Sequence, residues 1–464
     1  MNQTTDMTTG SPIRHLIIFT LPLWLTNIGQ QLYMITDASI VGRGVGVSAL
    51  ASVGSCDWIY WMVLWIIMGL TQGFATFISR YFGMKDHEKT NKVIAMSTLL
   101  CGAIGVFLTV CGLLLSRPLL ELLKTPQDIL DGAVSYLLTM ICGTLCVTAY
   151  NMAAAILRAF GNSRHPLYAM LIAAVINIAL DILFVFVFHW GITGAAAASV
   201  LAQLAAFFYC LVQIKKIAVV SLPRRVWKPD FNMLSELFKF GLPVALLYVF
   251  IAASGIVVQY AINLQGSVFV AGFTATNKIY GLMECTAISL GAAIVTFCSQ
   301  NYGAKNYQRF KEGVWKGFLL TELMALVITL LALLPGKYLL KLFIDPACGY
   351  GSSALQVAEL YLWVSGIFLV ILFPIHTYRN GLNALGDSFW PMVSGAAECV
   401  ARIATAIFLV NYFGRELLFY TEPAAWIAAL LFSAVPYYCY QKKRLSEKNL
   451  TGAEKLNSEI IFSE

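Results

Sequence analysis

Residues 93–115 read VIAMSTLLCGAIGVFLTVCGLLL, an uncharged apolar run held between Lys92 and Arg117. A bilayer core about 30 Å thick is crossed by roughly 20 apolar residues of helix at about 1.5 Å each. This run fits that length. It is continuously apolar, whereas the strands of a membrane barrel alternate polar and apolar side chains over about ten residues. The reading is a transmembrane helix.

Further runs of the same kind follow along the chain, separated by charged turns. The first lies at about 13–41 and the last at about 421–440, with 132–157 and 354–378 as the fourth and tenth. The count is about twelve. With 59% hydrophobic and 12% charged residues in 464, the chain carries roughly half the charge of a soluble domain. The fold class is therefore an all-α integral membrane protein. The first run follows a polar start and contains Pro22, Asn27, Gln30, Gln31 and Asp37, without the short apolar core and cleavage site of a signal peptide. It is expected to be retained.

Most of the 31 Lys and Arg fall on alternate loops if the N-terminus is cytoplasmic. Arg80, Lys85, Lys89 and Lys92 follow the second run, Arg224, Arg225 and Lys228 lie mid-chain, and Lys442, Lys443 and Arg444 follow the last. By the positive-inside rule both termini are cytoplasmic. The net charge of +7 is then a topology signal and an attraction to anionic head groups, not a nucleic-acid footprint.

The chain repeats itself. TFISRYFGMKD (Thr76 to Asp86) aligns with TFCSQNYGAKN (Thr296 to Asn306), LRAFGNSRHP (Leu157 to Pro166) with LNALGDSFWP (Leu382 to Pro391), and Leu21-Pro22 with Leu242-Pro243. Three matches in register divide the chain into two six-helix repeats: an N-terminal lobe at 1–214, a basic linker at 215–239, a C-terminal lobe at 240–440 and a tail at 441–464. An even number of spans gives both copies the same orientation. Parallel repeats of this sort suit alternating access, with substrate held between the halves.

A carboxylate inside the bilayer is costly unless it is paired, protonated or facing water. Asp37 falls in the first span and Asp181 in the fifth, and their repeat counterparts are Val258 and Ala406. Acids present in one copy only are not demanded by the shared fold, so they point to an ion or substrate site in the first half. Tyr33 and Asp37 share a helix face, as do Asn177 and Asp181. Ser199 lies in the small-residue stretch GAAAAS, where it serves close helix packing or ligation. Carboxyls withdrawn from water side by side hold a proton that a cation can displace, which is the logic of exchange; the same oxygens suit Na⁺.

In the second half, Glu398 and Arg402 stand one turn apart and are expected to pair, and Glu284 is a further polar candidate. Lys278 and Arg402 are expected to be the basic residues within spans, and His376 a capping or interfacial residue at the inner end of the tenth. Pro22 removes a backbone hydrogen bond and offers a hinge in the first span. No HExxH, GxSxG or Walker-A pattern is present, so no enzyme is expected, and the eleven cysteines sit mostly in apolar runs without a CxxC pair. No cofactor, metal or disulfide framework is expected.

LPLWLTNIGQQLYMITDASIVG, LRAFGNSRHP, VINIALDILF, GITGAAAAS and SQNYGAKN, in that order and spacing, resemble the multidrug and toxic compound extrusion (MATE) family over residues 12 to 440. The resemblance implies a V-shaped bundle of two lobes in the inner membrane of a prokaryote. It implies a monomeric secondary antiporter that exports organic cations or amphipathic drugs against inward H⁺ or Na⁺. Asp37, Asn177, Asp181 and Ser199 match the polar cluster of the DinF-type branch, Pro22 its first-helix bend, and Tyr33 and Asn151 residues lining that lobe. Ile251 stands where another branch carries a glutamate. A lipid-linked precursor flippase of the wider superfamily would share lobes and repeat, but tends towards extra helices and a cationic cavity.

Overall fold

The structure, a computed structural model, describes residues 4–123, 125–345 and 351–439; the expected tail at 441–464 lies outside them. Among the described residues every regular element is helical. In chain order these are α1 (Pro12–Gly44), α2 (Val47–Gly83), α3 (His87–Leu122), α4 (Gln127–Cys142), α5 (Thr144–Ala159), α6 (Arg164–Asp181), α7 (Gly191–Lys215) and α8 (Phe231–Asn263). They continue with α9 (Ser267–Gly303), α10 (Tyr307–Leu333), α11 (Gly336–Leu340), α12 (Gly351–Ile367), α13 (Leu369–Leu385), α14 (Phe389–Ile403) and α15 (Val410–Phe413). A last helix, α16, covers residues 421–439.

Among the described residues nine helical stretches are long and apolar enough to cross a membrane, and two bent pairs, α4 with α5 and α12 with α13, raise the count to eleven. α1 is a further helix of 33 residues. Its Asn27, Gln30, Gln31, Thr36 and Asp37 make it less apolar than the others. The fourth and tenth spans are therefore not straight: they break by 45° at Gly143 and by 46° at Phe368. α8 begins at Phe231, capped by Asp230, whose carboxylate accepts from the Met233 amide at 3.1 Å. The connection between the repeats is accordingly shorter than 215–239. It lies on the start of α3, where Asn91 bonds the Val219 carbonyl and the Ser221 amide at 3.0 and 2.8 Å.

The repeat is legible in backbone detail. Asp86 and Asn306 cap α3 and α10, accepting from the Lys89 and Arg309 amides at 3.0 and 3.2 Å. Lys85 and Lys305 take φ of 59° and 57° in the preceding turns. Gly161 and Gly386, in the LRAFG and LNALG turns, take φ of 76° and 86°, a region that a side chain disfavours. π-helical turns at Ile182–Val187 and Ala404–Leu409 extend α6 and α14.

Outward faces are apolar. On α3, Phe107 is 64% exposed and Leu114 72%, as expected where the surroundings are lipid and no hydrophobic penalty attaches to exposure. Backbone polar groups are closed inside the helices, which is why helices can stand in hydrocarbon at all. Between the two sets of helices, α1 packs on α9, and α2 on α8 and α9. Hydrogen bonds joining the sets gather near one end: Trp24 to Thr286, Asn27 to Ser289, Gln72 to Asn380, and Tyr248 to Gln72, at 2.9 to 3.2 Å. Closer to that end, Arg80 Nη2 bonds the Ala384 carbonyl and Gln300 Nε2 the Ala159 carbonyl, at 3.2 and 3.1 Å. These last two bonds are repeat images of each other. α2 and α9 cross there so closely that a Cβ on Gly83 would strike the Gln300 carbonyl, and one on Gly303 the Arg80 carbonyl.

Candidate functional site

The four residues of the expected cluster come together from three helices. Asp37 lies on α1, Asn177 and Asp181 one turn apart on α6, and Ser199 on α7. Asn177 and Asp181 are fully buried and Ser199 nearly so. The Asp37 and Asp181 carboxyls are close neighbours across the α1–α6 contact. Two carboxylates placed side by side away from water repel, and a proton or a cation taken up between them relieves that repulsion. Ser199 Oγ lies 3.1 Å from Tyr33 Oη and accepts from Asn177 Nδ2 at 3.2 Å. Its neighbours Ala195, Ala196, Ala198 and Ala202 are buried and small, which lets α7 approach α6 closely enough for those bonds. Ser199 thus both packs and bonds.

Asp181 closes α6, and the chain continues in a π-helical turn. Such turns are common at functional sites. Here the second repeat carries one as well, so the turn belongs to the shared fold and the carboxylate does not. The counterparts Val258 and Ala406 are buried among Phe269, Phe273 and Tyr361. Where the first half has two acids, the second has apolar core.

A small cavity of about 30 Å³ adjoins the cluster, lined by Gln30, Tyr33, Tyr150, Met170 and Gln203 among others. That is room for about one water. Tyr150 and Gln203 were not singled out in the sequence, and Gln30 was noted there only as a polar residue of the first run. Asn151 turns its amide to the Val147 carbonyl of its own helix at 2.9 Å, and Tyr150 beside it takes the cavity wall. One residue along a helix rotates a side chain by about 100°, a distinction that sequence spacing alone did not draw. Tyr60 lies near Tyr33 and extends the aromatic side of the site. Among the described residues no three His, Cys, Asp or Glu converge as metal ligands. A Na⁺ would need the Asn177 amide oxygen and hydroxyls to complete its shell.

Pro22 sits inside α1, its carbonyl accepting from Thr26 Oγ1 at 2.8 Å. The Trp24 and Asn27 bonds to α9 follow at once, so the proline lies where α1 is fastened to the second set of helices.

Glu284 is not part of this cluster. It lies one turn from Tyr280 on α9, near a charged group in the second half. There the expected Glu398–Arg402 pair is present at 2.8 Å, within a larger network. Arg379 Nη2 meets Glu398 at 2.6 Å, and Arg402 Nη2 meets Glu422 at 2.6 Å. Ser394 and Ser254 bond the two guanidiniums, each at 3.1 Å. This corrects two expectations. Arg379 is a buried residue inside α13, so Lys278 and Arg402 are not the only basic residues within spans. His376 is likewise no terminal cap: it lies mid-helix against Gly291 of α9, beside Arg379. Two arginines among Glu398 and Glu422 are tolerated away from water because each charge is paired and further hydrogen-bonded.

The family model MatE matches the chain twice, over residues 22–183 and 243–408. The chain is 30% identical to "Probable multidrug resistance protein YpnP" of Bacillus subtilis over 79% of its own length and 82% of that protein's. It is 26% identical to "Probable multidrug resistance protein YoeA" of the same organism, over 93% and 95%. Its fold superposes on a crystal structure of MATE in the bent conformation with a TM-score of 0.86, at 20% identity, covering 97% of this chain and all of that one. With a doubled helical bundle, an acid cluster confined to one copy and a family model matched in both, the chain belongs to the MatE family of membrane transporters.

Proposed function

We propose that this chain is a secondary active antiporter that exports organic cations or amphipathic drugs in exchange for inward H⁺ or Na⁺, working by alternating access. The observation that carries the reading is the neighbouring Asp37–Asp181 pair, set in one repeat while its image is apolar core. A proton held between two carboxyls is displaced when a cation takes its place, and linkage makes that competition an exchange. Asn177 and Ser199 orient the pair and supply neutral oxygens. The names of the curated relatives support multidrug substrates. Tyr33 and Asn151 in the first half and Glu284 in the second are the side chains proposed for the substrate path, and Pro22 is proposed as the bend through which α1 responds.

The working unit is proposed to be a monomer in the inner membrane of a prokaryote, with both termini cytoplasmic, as the basic loops indicate. The competing reading, a lipid-linked precursor flippase, asks for a cationic cavity. Arg379 and Arg402 are neutralised by Glu398 and Glu422, which weighs against it. The test is cation efflux from proteoliposomes under imposed pH or Na⁺ gradients. Exchange that follows one gradient and is lost in Asp37→Asn is the expected result; substrate movement indifferent to both gradients would overturn the reading.

A further inference from the structure

We infer that residues 4–10 form a strap that locks the α2–α9 crossing shut, and that this segment must leave its groove before that end of the bundle opens. Calling the opening a transport step rests on the alternating-access reading above; the strap itself does not.

The segment ahead of α1 is neither helix nor strand, yet it is held at nearly every residue. The Thr5 amide donates to the Phe160 carbonyl at 2.9 Å, in the first repeat. Two residues on, the Met7 amide donates to Gln300 Oε1 at 2.9 Å, in the second. The Met7 carbonyl accepts from Asn301 Nδ2 at 3.2 Å and from Arg309 Nε and Nη2 at 3.1 and 3.0 Å. Arg309 also bonds the Thr9 and Gly10 carbonyls at 2.7 and 2.8 Å. The Met7 side chain is 1% exposed and packs into the apolar cluster of Phe297, Tyr302 and Phe310.

Gln300 is the pivot. Its Oε1 holds the strap while its Nε2 holds the Ala159 carbonyl of the other repeat. One side chain therefore ties the strap and both halves at the point where Gly83 and Gly303 bring the helices together. Parting the helices there pulls on all three. Backbone groups of a non-repetitive segment stay buried only while such partners remain, so the strap is released as a unit.

The repeat supplies an internal comparison. By the TFISRYFG and TFCSQNYG match, Phe77 and Arg80 are the images of Phe297 and Gln300, and Gly386 that of Gly161. At this second copy of the groove no strap runs among the described residues. It is an open groove of about 700 Å³ lined by Phe77, Arg80, Glu236, Lys239, Gly386 and Asp387. Its partner is closed by Thr5 against Phe160 and Met7 against Phe297. The shared fold thus provides two grooves, and among the described residues the chain seals the N-terminal one and leaves the other open. The strap runs directly into α1, with the Thr9 carbonyl accepting from His15 Nε2 at 2.7 Å, so motion of α1 reaches it without an intervening loop.

The test uses the full chain with its native cysteines replaced and spin labels at Glu88→Cys and Gln308→Cys. These are exposed repeat images at the starts of α3 and α10. Met7→Asp, and separately replacement of residues 4–10 by Gly and Ser, should raise the population with a long inter-label distance about tenfold. Met7→Leu should keep the parent distribution, and Lys239→Ala, in the open groove, should leave it unchanged. Distributions for Met7→Asp and for the replaced segment that superpose on the parent would overturn the inference, as would an equal opening caused by Lys239→Ala. The readout involves no gradient or substrate, so an antiport reading that failed in proteoliposomes would leave this result standing.

Discussion

Gly303→Ala puts the closure of the bundle to a direct test. The added Cβ would strike the carbonyl oxygen of Arg80, which is backbone within α2 and cannot rotate aside. The helices must part by about 1 Å, and a gap of that size already forfeits a quarter to a half of the dispersion attraction across it. The same parting stretches the Arg80–Ala384 and Gln300–Ala159 hydrogen bonds, now 3.2 and 3.1 Å. Overpacking of this kind costs about 1–3 kcal/mol. Since about 1.4 kcal/mol is tenfold in an equilibrium, the ratio of closed to open forms should fall about tenfold or more. Pulsed electron resonance between labels at Glu88→Cys and Gln308→Cys reads that ratio. Gly83→Ala should do the same, because its Cβ meets the Gln300 carbonyl by repeat symmetry. An unchanged distance distribution in both variants would refute the claim that this crossing is the closure.

Other consequences follow from named contacts. Glu398→Gln leaves Arg379 and Arg402 short of a counter-charge and should cost about 3–5 kcal/mol, read as a lowered melting temperature in detergent. Ser199→Ala removes the acceptor of Asn177 and the partner of Tyr33; it should lower exchange while costing about 1–3 kcal/mol of stability, and Ser199→Thr should recover part of the exchange. Trp426→Ala empties a fully buried site beside Tyr280 and should cost about 3–5 kcal/mol, again seen in thermal unfolding. Asp86→Ala and Asn306→Ala each remove an N-cap and should cost about 0.5–2 kcal/mol, with similar unfolding shifts for the two images.

The helices and their repetition were legible because lipid demands continuous apolar length and the turns recur residue for residue. The breaks at Gly143 and Phe368 were not, since both lie inside unbroken apolar runs where hydropathy carries no information on direction. Arg379 was misplaced because the first basic residue after an apolar run usually marks the membrane edge. Its partner Glu398 and its bond to Ser394 come from the next helix, and only contact reveals them. The repeat held a clue: LNALG aligned with LRAFG puts the turn at Gly386, so the helix had to run past residue 379. Asp37 and Asp181 could be chosen from sequence as buried acids, but their meeting required α1 to pack on α6. Met7 gave no signal at all, being one apolar residue in a polar start.

The Asp37–Asp181 pair carries the functional account. Its sharpest test is substrate efflux from proteoliposomes driven by an imposed pH or Na⁺ gradient, comparing the unmodified chain with Asp37→Asn at matched substrate binding. The account predicts that gradient-driven exchange is lost in the variant while substrate still binds. Gradient-driven exchange at the unmodified rate in Asp37→Asn would contradict it.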